Sequence, residues 1–278
     1  MEFILGKIKR EFRASMAFIE RNFNLIKRYW KWELVFFVYT VANSVTMGFI
    51  GKGIESFGNA KFDTSYLILY MLIGSILWGY LSILFEVIAE TVAWERWEET
   101  IEYTFMAPIR RATHLLSTCA FSVLYGILRS GAILLILSFF FNLDLSKANL
   151  WVTLVILGAA SLSFIGLGMM AAILPLISPE KGVQVVHIVQ ALILMFSGVY
   201  YEVEVLPNWM QKIAKLSPAT YALKGMRASI LHGAKLNELW DMTFPLLLLG
   251  VVLLPAGLFI FSKMENYAKK RGLLKRNG

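Results

Sequence analysis

Ile133-Leu134-Leu135-Ile136-Leu137-Ser138-Phe139-Phe140-Phe141 is apolar on every side of a helix. A surface helix of a soluble protein would show a polar stripe every three or four residues, and one serine is all that interrupts this run. It extends back to Leu115, and five comparable runs lie at about Leu34–Ile50, Tyr66–Ile88, Leu150–Ile177, Val183–Tyr201 and Met242–Ser262. At about 1.5 Å of rise per residue, each approaches or exceeds the ~30 Å hydrocarbon thickness of a bilayer. Hydrophobic residues make up 58% of the chain and charged ones 17%, against about 25% charged in soluble domains. The reading is an all-α integral membrane protein with six transmembrane helices.

The polar remainder is too short for a separate soluble core. Residues 1–32 form an N-terminal segment, 33–262 the membrane domain and 263–278 a basic tail. None carries a Gly-rich phosphate loop, so any nucleotide chemistry belongs to another chain. The N-terminal segment lacks the compact apolar centre of a signal peptide, and the first crossing is expected to act as an uncleaved insertion signal. Cys119 is the single cysteine, so no intrachain disulfide forms, and its place in an apolar run reads as packing. The three histidines show no ligand spacing, so no metal site is expected.

Charge placement sets an expected orientation. Lys and Arg number eight in 1–32, three in 90–112, one in 178–183 and six in 263–278; the alternate loops hold two, one and five. That bias places both termini in the cytoplasm of a multi-pass cell-membrane protein. The net charge of +8 then reflects topology and anionic lipid headgroups, with no need to invoke nucleic acid. Ile4, Ile8, Phe12, Met16, Ile19, Phe23 and Ile26 make an apolar stripe with basic flanks, suited to a helix in the inner headgroup layer or packed on a partner. Trp30 and Trp32 read as interfacial anchors.

Between the second and third crossings, residues 91–108 contain Trp94-Glu95-Arg96-Trp97-Glu98-Glu99-Thr100-Ile101-Glu102-Tyr103-Thr104-Phe105-Met106-Ala107-Pro108. Near the end stand Ser197-Gly198-Val199-Tyr200-Tyr201, Leu206-Pro207-Asn208-Trp209, and Leu216-Ser217-Pro218-Ala219-Thr220-Tyr221 followed by Met226-Arg227. Both stretches resemble signatures of type 2 ABC-transporter permeases. Glu98, Thr100, Ile101, Glu102 and Pro108 match the first; Glu99 stands where the family often has Gly. The resemblance spans nearly the whole chain. It implies the non-catalytic permease subunit of an ATP-driven exporter, with coupling to the ATPase through the first stretch. The working complex would hold two cytoplasmic ATP-binding subunits, carrying ATP and Mg, and a second permease, identical or a close paralogue. Cargo would be amphipathic: drug, lipid, lipid-linked glycan or peptide.

The same residues have a physical reading. Trp94, Trp97, Ile101 and Phe105 fall on one helical face, and Glu95, Glu98, Glu99 and Glu102 give the rest an acidic outward surface. An ATP-binding partner is expected to meet it with Arg or Lys; an ordinary interfacial helix is the plain alternative. Pro108 ends that helix. Residues 202–233 read as two short outer-side helices, with Ser217 as N-cap, Pro218 at the first helical position and His232-Gly233 as the stop. Gly198, Tyr200 and Tyr201 could line an exit beside them, or merely sit in an external loop. Arg129 lies about halfway along the third crossing, where a charge costs about 2.5–3.5 kcal/mol on the insertion scale. Glu202 and Glu204 are its most reachable partners, as a structural ion pair or beside anionic cargo. An ion-coupled secondary transporter and an integral-membrane enzyme are the rival classes. The first would bury several acidic or histidine groups, and the second would gather catalytic residues at one depth.

Overall fold

A computed structural model describes residues 2–57 and 64–274, leaving aside the side chains of residues 2–5, 8, 54–57, 64–65 and 105. The Ile4, Ile8 and Phe105 side chains, and Lys275 and Arg276 of the basic tail, lie outside the described residues. The helices are α1 (Glu2–Arg28), α2 (Trp30–Phe57), α3 (Thr64–Trp97), α4 (Ile101–Met106), α5 (Arg111–Phe141) and α6 (Leu150–Ala171). They continue with α7 (Ile173–Ile177), α8 (Pro179–Ser197), α9 (Asn208–Ala214), α10 (Pro218–Leu231) and α11 (Trp240–Lys270).

Five stretches among the described residues are long and apolar enough to cross a membrane: Trp30–Gly53, Tyr66–Trp97, Arg111–Phe141, Leu150–Ile177 and Leu236–Lys270. The expected run Val183–Tyr201, fifth in chain order, falls in α8, which does not join them. That helix opens with Pro179-Glu180-Lys181 and carries Gln184, His187 and Gln190 at three-residue spacing. It stops at Ser197, because Gly198 turns left-handed at φ 68°. Pro175 explains the break between α6 and α7: it lacks an N–H and crowds the carbonyl four residues back, at the end of α6.

Helix ends elsewhere follow local chemistry. Asn149 caps α6 by accepting from the Val152 N–H at 3.3 Å. Asn142 closes α5 in the left-handed conformation, and Gly233 does the same just past α10. Ser217 and Pro218 stand at the expected start of α10, though the Ser217 hydroxyl bonds Ser197 Oγ at 3.0 Å instead of capping.

The centre is α3 packed on α6, which packs in turn on α11. In lipid, close van der Waals contact and satisfied polar groups hold helices together, since water is absent as a driving solvent. Tyr80, Leu84, Phe85, Ile156, Phe164 and Met169 are fully buried there. The Tyr80 hydroxyl meets Ser161 Oγ at 2.5 Å, so this fully buried phenol is satisfied. Small residues let the backbones touch: a Cβ on Gly257 would lie 2.5 Å from the Gly166 carbonyl oxygen. Ser163 Oγ donates to the Leu246 carbonyl at 3.0 Å, and Gly166 meets Leu253 further along. Helices α6 and α11 therefore run side by side in the same direction. Between them in sequence, α8 runs antiparallel to α3: Gln190 donates to the Ser82 carbonyl at 3.2 Å, and the Val199 carbonyl sits against Gly74.

α1 lies across α5 of its own chain. Phe23 meets Phe121 edge-on at 5.0 Å and Phe18 meets His114 at 4.7 Å, while Phe12 and Met16 stay exposed. The expected stripe is thus shared between the bundle and its surroundings. The bundle has two distinct ends. The α1 end holds α1, α4 and the last turn of α11; the hairpin end holds α9 and α10.

Candidate functional site

The α1 end is knitted by carboxylates. Glu95, in the last turn of α3, is 5% exposed and accepts from Arg21 Nη1 of α1 at 2.9 Å; His114 Nε2 of α5 lies 3.0 Å from the same oxygen. Glu265 of α11, 3% exposed, accepts from Arg111 Nε at 2.8 Å and Lys269 Nζ at 2.6 Å. Arg111 also donates to the Thr104 carbonyl of α4 at 3.3 Å. Glu11 of α1 accepts from Thr113 Oγ1 at 2.6 Å and from the Arg110 N–H at 3.3 Å. The Thr113 hydroxyl, followed by that backbone donor, holds the Glu11 carboxyl below its ordinary range. Charge-assisted bonds of this kind are about twice as strong as neutral ones. Five helices are tied through three acids.

Two expectations about this corner need correction. Glu95 is a buried strut and no part of the acidic outward surface, because the packing of α1 and α5 on α3 turns its face inward. Nor do Trp94, Trp97, Ile101 and Phe105 share one continuous helix. α3 ends at Trp97, Glu99 takes φ 58°, and α4 starts afresh at Ile101. The left-handed residue is the position where the resembled family often has Gly, which adopts that conformation without a Cβ penalty. Beyond the break, Ile101 is buried as the inward anchor of α4. Glu98, Glu99 and Glu102 remain exposed, with Trp94 and Trp97 half-exposed beside them, and Pro108 lies exposed in the turn after α4.

Arg129 also has different neighbours from those expected. Its Nη1 lies 4.0 Å from Glu33 Oε2 and donates to the Tyr125 hydroxyl at 3.2 Å; Nη2 donates to Thr40 Oγ1 at 3.1 Å. The Tyr125 hydroxyl in turn bonds Glu33. Glu202 and Glu204 are remote because α2, and not the α8–α10 turn, packs on this face of α5. Trp30, Leu34 and Phe37 complete a recess of about 290 Å³ around the group.

At the hairpin end, Arg227 of α10 takes the central place that the sequence did not reveal; there it is only the closing residue of a motif. It is 9% exposed. Nη1 donates to the Gly198 carbonyl at 3.2 Å and Nη2 to the Val199 carbonyl at 2.7 Å, capping orphan acceptors where α8 ends. The guanidinium lies 3.5 Å from the Tyr70 ring centroid. A cavity of about 330 Å³ opens beside it, with Gly198, Tyr201, Glu202 and Glu204 in its wall. The expected exit residues are therefore brought together, except Arg129, which is elsewhere, and Tyr200, which packs against the core. The Lys224 ammonium reaches Glu204 at 3.1 Å; a bond from the Glu204 backbone N–H, then Lys224, hold that carboxyl below its ordinary range. Cys119 is buried and His187 is occupied with Gln190 at 3.1 Å. Among the described residues no group of His, Cys, Asp and Glu could hold a metal ion.

A helical membrane bundle with a braced corner at one end and a two-helix hairpin at the other defines a polytopic membrane protein of the permease kind. The family model described as ABC-2 type transporter matches residues 14–231 of the 278, from α1 through α10, and the chain belongs to that family. It is also similar to the linearmycin resistance permease protein LnrN of Bacillus subtilis (strain 168), with 26% identity over 125 residues. That alignment covers 45% of this chain and 32% of the relative, so the chain matches about a third of the relative's length.

Proposed function

We propose that this chain is the permease subunit of an ATP-driven exporter, docking a separate ATP-binding subunit at its α1 end and releasing amphipathic cargo at its hairpin end. In this reading α8 is the fifth of six crossings, with α11 the sixth. The parallel run of α6 and α11 supports it, since the chain between them must return to the starting end. Both termini then lie in the cytoplasm, and two permeases work with two ATP-binding subunits that carry ATP and Mg.

The observation that carries the reading is the two-faced corner. Its buried side locks α1, α3, α4, α5 and α11 together through Glu95, Glu265 and Glu11. Its exposed side offers Glu98, Glu99 and Glu102 with Trp94 and Trp97. A push delivered there reaches several helices at once, because packed interiors transmit displacement with little give. Exposed carboxylates beside half-exposed aromatics suit a partner surface bearing Arg or Lys, for register and fast encounter. The similarity to a permease named for linearmycin resistance favours the drug-like end of the cargo range.

Reconstitution of the chain in liposomes, with and without its ATP-binding subunit, tests the proposal. Cargo-stimulated ATP hydrolysis and outward transport are expected only with both proteins and ATP-Mg present. Transport or substrate turnover by the chain alone overturns it.

A further inference from the structure

We propose that the recess between α1, α2 and α5 seats the head of a zwitterionic phospholipid bearing a primary ammonium, phosphatidylethanolamine in its simplest form, with Glu33 taking the ammonium. This assigns a lipid site on the membrane-facing surface and does not depend on the export reading.

Glu33 is the charged group that the recess leaves within reach. Its side chain is 33% exposed, against 13% for Arg129. The Tyr125 hydroxyl bonds Oε2, and Arg129 Nη1 stands 4.0 Å from the same oxygen, beyond hydrogen-bonding distance. Oε1 has no hydrogen bond among the described residues. Arg129 is spent on the Tyr125 and Thr40 hydroxyls. A carboxylate so placed, among apolar walls of low dielectric, gains from a cation that brings its own N–H donors. The walls favour one as well. Trp30, 56% exposed, lines the recess with Phe37 and Tyr125, and aromatic faces attract an ammonium.

Depth and charge balance select a lipid. Glu33 lies about 4.5 Å of helix rise beyond Trp30, and Trp30 and Trp32 are exposed in the manner of tryptophans at a headgroup boundary. Leu34 in the recess wall, and Leu128 next to Arg129 in α5, are exposed and give acyl chains an apolar bed. A bare cation would meet the Arg129 charge just behind Glu33. A zwitterion avoids that penalty, because its phosphate offsets the guanidinium, and Trp30 adds an exposed indole N–H for a phosphate oxygen. The volume of about 290 Å³ equals roughly ten water shares of ~30 Å³, room for a phosphoethanolamine head with its chains outside. An anionic lipid without the ammonium brings nothing for Glu33.

The experiment uses the full chain in maltoside micelles, with binding resolved by native mass spectrometry. Phosphatidylethanolamine is compared with phosphatidylglycerol of the same chains, with decylammonium as a cationic amphiphile and phosphoethanolamine as the free head. The first phosphatidylethanolamine should bind at least about tenfold more tightly than each of the three, the worth of one bond to a charged group. Glu33→Gln keeps an acceptor for the Tyr125 hydroxyl, and should weaken phosphatidylethanolamine about tenfold while leaving phosphatidylglycerol unchanged. Trp30→Leu, at an exposed position, should weaken it about threefold and decides the matter if Glu33→Gln fails to fold. Equal binding of the two lipids overturns the site and leaves annular lipid only. An unchanged preference in the deciding variant overturns it too. Decylammonium binding as tightly as phosphatidylethanolamine overturns the zwitterion in favour of amine-bearing cargo, and equal binding of the free head overturns the membrane source. Since no nucleotide or partner is present, failure here leaves ATP-driven export standing, and failure of export leaves this site standing.

Discussion

The two ends of the bundle solve the problem of buried charge in opposite ways. At the α1 end the two buried glutamates among the described residues have cations: Glu95 with Arg21 and His114, Glu265 with Arg111 and Lys269. At the hairpin end the buried cation, Arg227, is held by two backbone carbonyls and a ring beside a cavity whose wall carries Glu202 and Glu204. Ion pairs shared among several helices fix geometry more firmly than one cation held by carbonyls of a single turn. In the function proposed above, the multiply paired end is the part that takes the push from the ATP-binding subunit.

Removing a member of the closed network should have the largest effect. Glu95→Ala strands Arg21 and His114 in the corner, and breaking a buried pair this way costs about 3–5 kcal/mol. Thermal unfolding in detergent should show it, with a smaller loss for Arg21→Ala, whose side chain is 35% exposed. Equal and slight losses for both would mean that the corner is held by α1–α5 aromatic contacts instead.

The hairpin end is tested by Gly74→Ala. An added Cβ would press on the Val199 carbonyl, the same oxygen that accepts from Arg227 Nη2. Overpacking of this kind costs about 1–3 kcal/mol. The turn after α8 should shift with it, and the unfolding temperature should fall. A variant as stable as the unaltered chain would show that the turn is looser than the packing implies.

How much of this is open to sequence reading depends on whether the signal is local. Ser217-Pro218 and His232-Gly233 mark helix ends through their own backbone chemistry, and the structure puts ends there. The long apolar runs announce the bundle for the same reason. Glu95 misleads because its role depends on which helices close over it, and no residue near it in sequence says that α1 will. Glu99 misleads because a left-handed residue is usually advertised by Gly or Asn, so a broken helix looks continuous. Arg129 stands out in the sequence as a charge needing a partner, but loop residues close to a helix end in sequence are poor guides to which helix packs against it. Arg227 is hidden in plain view: a cation in an outer loop looks solvated until α10 is seen lying against α3.

Arg129 is intermediate between the two ends, half paired and beside a recess. Arg129→Ala removes two hydrogen bonds and a 4.0 Å ion pair, but frees Glu33, one-third exposed, to be solvated. A loss of about 1 kcal/mol is expected, well below that of Glu95→Ala, measured in the same unfolding assay. A loss as large as that of Glu95→Ala would place Arg129 within the rigid part.

The smallest stability effect, and the sharpest functional one, belongs to the double reversal Glu98→Lys and Glu102→Lys. Both side chains are exposed and neither belongs to the buried network, so unfolding should move by no more than about 0.5 kcal/mol. Yet they face where a basic partner surface is proposed, and like charges across an interface oppose docking. Co-purification of the ATP-binding subunit and cargo-stimulated ATP hydrolysis should therefore fall, while membrane insertion stays intact. A compensating reversal on the partner should restore coupling. If the doubly reversed chain still recruits its partner and drives hydrolysis normally, force enters the corner elsewhere, and Trp94 with Trp97 becomes the surface to test, because the buried acids beneath them are already committed to one another.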